Sequence, residues 1–313
     1  MNGRIVAWPE ATIHVRTDAV MYGANVFEGI RGYLSADGKQ VFVFRLNEHL
    51  DRLFNTSMRI LRMTTTVTAE TLAKGILDLT RANEFWCDVH IRPTMYFGAG
   101  EPWSFDPAKI EVLSSITAVP MPPHPRLELG IQVSVSSWRR IQDTSMPPRV
   151  KAGANYLQSR YVAMEATLDG YDSAIILNET GKVAEGPAAC FMMLRGGRVF
   201  TPPITAGILE SITRLTLIQL ISERLHVEVV EREIDRTEVY LAEEAFFCGT
   251  AQEIVPIVGI DRYPVGGGRV GQFVRALQRV YFDVARGSEP AYSAWLTPIY
   301  GPPASEPHNE ERT

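Results

Sequence analysis

Apolar positions along this chain recur in two alternating periods, and their order predicts interleaved strands and helices. Val41-Phe42-Val43-Phe44 reads as a strand, and Asn47 to Arg62 puts Leu50, Leu53, Met58 and Leu61 on or near one face of a helix. A second helix is expected over Ala69 to Asn83, and a buried strand from near Asp88. Further on, Ile131-Gln132-Val133-Ser134-Val135 alternates as a strand does, and Asn155 to Thr167 is helical in pattern. Strands are expected at Ser173 to Leu177, Ala189 to Leu194, Val227 to Glu231 and Glu244 to Cys248, and helices at Ile212 to Leu225 and Gly271 to Ala285. The segment Val119-Pro120-Met121-Pro122-Pro123-His124-Pro125 holds four prolines, which remove donors and restrict the residues before them, so it reads as a linker. The expected class is α/β (α+β): a small α/β domain over 1–118, a linker over 119–127 and a larger domain over 128–287. A shift towards Pro, Ser and Glu after Gly287 predicts a mobile tail over 288–313.

The 313 residues, 45% of them hydrophobic, suffice for an extensive core. A net charge of −5, from 31 basic against 36 acidic residues, leaves no basic excess for nucleic acid or an anionic membrane. The short clusters Arg139-Arg140 and Arg149-Val150-Lys151 read as solvated faces, with a phosphate-bearing small molecule as their better partner. Residues 1–10 lack the continuous apolar stretch of a signal peptide, which makes the cytoplasm the expected location. Cys87, Cys190 and Cys248 form neither a paired framework nor a ligand cluster, and the six histidines show no metal-binding spacing, so no metal is expected. Gly266-Gly267-Gly268-Arg269 lacks the Lys-Ser/Thr ending of a phosphate loop and reads as a glycine turn.

Candidate chemistry concentrates in separated blocks. Val150-Lys151-Ala152-Gly153-Ala154-Asn155-Tyr156 is followed by Glu185-Gly186 and Ser211-Ile212-Thr213-Arg214. Upstream lie Tyr22-Gly23-Ala24-Asn25-Val26-Phe27-Glu28-Gly29-Ile30-Arg31, Glu48-His49-Leu50-Asp51-Arg52-Leu53 and Ile91-Arg92-Pro93; downstream lie Phe200-Thr201-Pro202-Pro203, Gly249-Thr250-Ala251 and Glu253-Ile254. Taken singly, each is an ordinary surface lysine, loop carboxylate or core tyrosine. Together, from about Thr12 to about Gly287, they resemble the class IV aminotransferases, the fold-type IV pyridoxal phosphate enzymes, and most closely the branched-chain amino acid aminotransferases.

The resemblance implies a two-domain fold with pyridoxal 5'-phosphate in the cleft between the domains. It makes Lys151 the catalytic residue, forming the internal aldimine and shuttling the proton, with Glu185 at the pyridine nitrogen and Tyr156 at the ring oxygen. Arg52, Ile212, Thr213 and Thr250 would hold the phosphate, with Leu209 under the ring and Ala188 beside it. Substrate would meet Phe27, Gly29, Arg31, His90, Arg92 and the Thr250-Ala251 turn, with Tyr22 reaching over from the second subunit of a homodimer or higher oligomer. The implied reaction joins branched-chain L-amino acids, as amino donors, to 2-oxoglutarate as acceptor. Three departures bear on substrate choice: His90 stands where a tyrosine is common, Met121 replaces an often aromatic position, and Glu185-Gly186-Pro187-Ala188-Ala189-Cys190 loses its usual polar residues. They motivate the alternative of an (R)-selective amine:pyruvate transaminase. Less favoured are a D-amino acid aminotransferase, an aminodeoxychorismate lyase and a non-catalytic binding protein.

Overall fold

A computed structural model describes residues 1–100 and 106–301. The first half supplies a short helix α1 (Asp18–Tyr22) and strands β1 (Asn25–Phe27), β2 (Ile30–Leu34) and β3 (Val41–Phe44). Helices α2 (Leu46–Asp51) and α3 (Ala69–Ala82) follow, then the long strands β4 (Val89–Phe97) and β5 (Val112–Pro120). Helix α3 begins where the Thr68 hydroxyl accepts from the Thr71 amide at 3.2 Å, and it buries Leu72, Ile76 and Thr80 along one face. Strand β4 is central, pairing with β1 and β2 along one side and with β5 along the other. Its period of two sends Val89, Ile91 and Met95 into the core shared with α3, and leaves His90, Arg92 and Thr94 on the opposite face.

The second half supplies β6 (Ile131–Arg139), α4 (Asn155–Leu168), β7 (Ser173–Leu177), β8 (Val183–Glu185), β9 (Cys190–Arg195) and β10 (Arg198–Thr201). After these come α5 (Ile212–Arg224), β11 (Val229–Glu231), β12 (Glu244–Gly249), β13 (Glu253–Ile260), β14 (Tyr263–Pro264) and α6 (Gln272–Ala285). Helix α4 carries the chain between the parallel neighbours β6 and β7, and α5 between the parallel β10 and β11. The sheet runs β11-β10-β9-β12-β13-β6-β7-β8, and the pairing of Glu185 with Cys190 returns β8 to β9 and closes a ring of six strands. That seam is where the site forms.

The α/β class and most of the elements agree with the sequence pattern, but four expectations need correction. The helix expected over Asn47 to Arg62 leaves α-geometry at Arg52, where a π-helical turn spans Arg52–Met58. Arg52 and Ser57 are both buried in this turn. The proline-rich linker does not begin at Val119: β5 continues to Pro120, as an edge strand tolerates a residue without a donor. The 288–313 segment is not a free tail throughout. Its β15 (Leu296–Pro298) pairs with β3, Ile299 is wholly buried, and Tyr300 stacks on Trp86 at 4.0 Å, so the apolar residues outweigh the local Pro and Ser content. Residues 302–313 of that expected tail lie outside the described residues. Finally, Arg140, expected on a solvated face, is 6% exposed. The turn at Gly266, Gly267 and Gly268 has positive φ at all three, which explains the glycines without a ligand.

Candidate active site

Lys151 sits in the segment between β6 and α4, and its main chain is held from two sides. The Phe27 amide donates to the Lys151 carbonyl at 3.0 Å, and the Lys151 amide donates to the Ser57 hydroxyl at 3.1 Å. Asn155, buried at the start of α4, ties down the approach by donating to the Val150 and Pro147 carbonyls at 2.9 and 3.1 Å. With the backbone fixed, the Lys151 Nζ donates to the Tyr156 hydroxyl at 2.8 Å and lies 5.2 Å from the centre of the Phe27 ring. Phe27 and Tyr156 pack against each other with ring centres 5.1 Å apart.

Around this amine opens a pocket with about 850 Å³ of empty space, the open solvent at its mouth included. Twelve residues singled out from sequence line it: Phe27, Gly29, Arg52, His90, Arg92, Lys151, Tyr156, Glu185, Ala188, Leu209, Thr250 and Ala251. Four do not. Tyr22 is 63% exposed on α1, away from this wall. Arg31 is buried behind it, where its charge needs a counter-ion and finds Glu253 at 3.1 Å. Ile212 and Thr213 are buried at the first turn of α5, whose leading amides have no intrahelical acceptor. The Ser211 hydroxyl caps that turn by accepting from the Arg214 amide at 3.2 Å.

The electrostatics of the wall were only partly visible in the sequence. Glu28 is fully buried and accepts from Arg52 at 2.8 and 2.6 Å and pairs with His49 Nδ1 at 2.7 Å. Burial pushes its carboxyl up, but the Arg52 charge and the hydrogen bonds of His49 and Arg52 outweigh that and bring it down to about 2. Arg52 also donates to the Glu210 carbonyl at 2.7 Å, just before α5, leaving two of its five N–H groups for a ligand. Glu185 pairs with Arg140 at 2.8 Å and accepts from the Leu209 amide at 3.1 Å. Burial raises its proton affinity above that of an ordinary carboxylate, and Arg140, the Leu209 amide and Lys151 offset only part of the rise. Burial first, then the charges of Arg92, Arg31 and Lys151, brings His90 down to about 4, so its imidazole is neutral near pH 7. From sequence Glu28 and His49 stood in matching blocks and Arg140 in a basic cluster, none of them with a role at the site, and Ser57 was not singled out. A charged residue between apolar strand positions was the available signal for Glu28 alone.

Among known families, the profile of "Amino-transferase class IV" matches residues 25–260. The chain belongs to that family. This class IV aminotransferase is 39% identical over 301 residues to a "Probable branched-chain-amino-acid aminotransferase" of Aquifex aeolicus, covering 96% of each chain. It also superposes on the branched-chain amino acid aminotransferase of Thermobaculum terrenum in its PLP form with a TM-score of 0.89, at 42% identity, over 96% of this chain and 97% of that one. A third structure, a "T.th." branched-chain amino acid aminotransferase complexed with N-(5'-phosphopyridoxyl)-L-glutamate, gives a TM-score of 0.89 at 34% identity, over 96% and 97%. Enzymes of this family use pyridoxal phosphate. The pocket suits it: a buried acid and an amine share its lining, and a guanidinium with spare donors lies beside the start of α5, where only the Arg214 amide is capped by a side chain.

Proposed function

We propose that this enzyme transfers the amino group between branched-chain L-amino acids and 2-oxoglutarate, with Lys151 as its catalytic residue. The observation that carries the reading is the Lys151 Nζ, held 2.8 Å from the Tyr156 hydroxyl in a pocket that also contains Glu185 and Arg52. Pyridoxal phosphate, when bound, supplies a carbonyl that condenses with amines and a ring that accepts the electron pair of a breaking Cα–H bond. Lys151 holds the proton removed from that carbon and returns it, and the Tyr156 hydroxyl keeps the amine directed into the pocket. Glu185 holds a proton at the ring nitrogen. Arg52, Thr250 and the Ile212 and Thr213 amides bind the phosphate. Leu209 and Ala188, which line the pocket, would lie beside the ring and help keep water from it.

Arg92 reaches the pocket from the face of β4 that also carries His90, with its guanidinium 4.3 Å from the Phe27 ring centre. A guanidinium lying on an aromatic face can pair with the distal carboxylate of glutamate, and lie flat beside a leucine side chain. The glutamate adduct of the third relative and the names of the other two support these substrates. The reading includes a homodimer, supported by the exposed apolar side chains of Trp8, Ile13, Val15, Val20, Met21 and Tyr22 along the N-terminal segment. One observation favours the second reading, an (R)-amine:pyruvate transaminase: the neutral imidazole of His90 brings no positive charge to a substrate carboxylate. Single-turnover reactions with L-leucine, L-glutamate and both enantiomers of a simple arylalkyl amine decide between them. Fast turnover of both amino acids is expected; failure with glutamate beside good turnover of the (R)-amine rejects the first reading.

A further inference from the structure

Arg140 directly follows β6, and its amide still donates to the Leu177 carbonyl of β7 at 2.9 Å, so its main chain is part of the sheet. Its side chain turns inward and spends its fork in three directions. The Nε donates to the Gly207 carbonyl at 3.0 Å, one terminal nitrogen meets the Gln158 side-chain oxygen at 3.4 Å, and the other pairs with Glu185 at 2.8 Å. Only a planar guanidinium offers donors in this arrangement. The second oxygen of Glu185 accepts from the Leu209 amide, so the Arg140–Glu185 pair grips the Gly207-Ile208-Leu209 segment at both ends.

We infer that Arg140 is a positioning residue: it keeps Glu185 ionised and oriented on the cavity wall and sets the height of Leu209 on the cavity floor. The inference deepens, and rests on, the reading of Glu185 as the acid at the ring nitrogen. A carboxylate buried this deeply takes up a proton unless a cation opposes it. Once neutral, it no longer favours a proton on the nitrogen it faces. The other groups that bear on Glu185 are Lys151 and the Cys190 thiol, whose Sγ lies 4.0 Å from its Oε2 and which itself feels the charges of Arg214 and Arg52. The Cys190 thiol is pushed up to about 12, so it stays neutral, and the Lys151 charge changes with each turnover. Arg140 is the direct ion-pair partner and is permanent.

The test compares holoenzymes of the wild type, Arg140→Gln, Arg140→Lys and Glu185→Gln. Each is read by the pH titration of the bound cofactor's visible absorbance and by the pH profile of the leucine half-reaction. Arg140→Gln is expected to retain cofactor, because the phosphate contacts are untouched, but to raise the proton affinity of Glu185 about tenfold or more. Its titration then moves towards that of Glu185→Gln, and Arg140→Lys moves back towards the wild type. A wild-type titration in Arg140→Gln, or equal defects in Gln and Lys with an unshifted pH profile, reduces Arg140 to a structural brace and overturns the inference. If Glu185→Gln itself titrates like the wild type, the underlying assignment of Glu185 fails instead. Infrared spectra of the wild type, differenced against Glu185→Gln, decide the matter even if Arg140→Gln does not fold. Glu185 is expected as a carboxylate at neutral pH, and a protonated carboxyl there overturns the proposal.

Discussion

Replacing Glu28 with Gln should destabilise the protein by about 3 kcal/mol at neutral pH without emptying any volume. In the native state Glu28 is fully buried, and its pKa falls from an ordinary 4.5 to about 2. At about 1.4 kcal/mol for each tenfold in proton affinity, the ionised form contributes about 3 kcal/mol to the folded state. The same size follows from leaving Arg52 buried without its counter-charge, a loss of about 3 to 5 kcal/mol. The folded pKa is the lower one, so this stability is fully present above pH 4.5 and is lost as pH falls towards 2. Urea unfolding of wild type and Glu28→Gln between pH 7 and 3 measures the gap directly. It should be widest at pH 7 and narrow below 4.5. His49 is lowered by burial and partly restored by Glu28, so its own titration differs between the two proteins; adding His49→Gln in both backgrounds removes that contribution and leaves the Glu28–Arg52 gap. Equal stability at pH 7, or a gap that ignores pH, refutes the account of the Glu28–Arg52–His49 cluster.

Arg92→Ala should slow the half-reaction with glutamate roughly ten- to hundredfold, the worth of a hydrogen bond to a charged group, while sparing leucine; stopped-flow rates with each donor check this, and equal losses refute the role. Gly186→Ala should cost about 1 to 3 kcal/mol and lower the Tm in calorimetry, because a Cβ there meets the wholly buried Phe247 ring at 2.8 Å. An unchanged Tm would mean that this wall yields.

What the sequence made legible was chiefly what local patterning encodes. Helix α3 was legible over Ala69 to Asn83 and forms at Ala69–Ala82, and Lys151 drew notice through the combination of blocks around it rather than on its own. Strand β13 was not legible, because Pro256 and Gly259 argue against a central strand. The structure accommodates Gly259 where pairing with β6 shifts between Ile257 and Gly259, and Pro256 opposite Phe246 of β12, one residue before the β6 pairing begins at Ile257. Arg140 looked like half of a surface pair because burial of a guanidinium depends on Glu185, 45 positions away and adjacent only once β8 closes on β9. Arg31 shows the converse. Its block marked it for the pocket, yet its partner Glu253 comes from the other sheet and draws it behind the wall. Local sequence carries periodicity and caps; the pairing of charges across sheets belongs to the tertiary fold.

The central claim is that the Lys151 amine carries the cofactor. Borohydride reduction of the holoenzyme, followed by peptide mass mapping, tests it most directly, because reduction makes an imine link permanent at the residue that forms it. The account predicts a phosphopyridoxyl mass on the peptide containing Lys151, and its loss in Lys151→Ala while circular dichroism stays native. A label on another lysine, or no label on a protein that nevertheless transaminates, contradicts it.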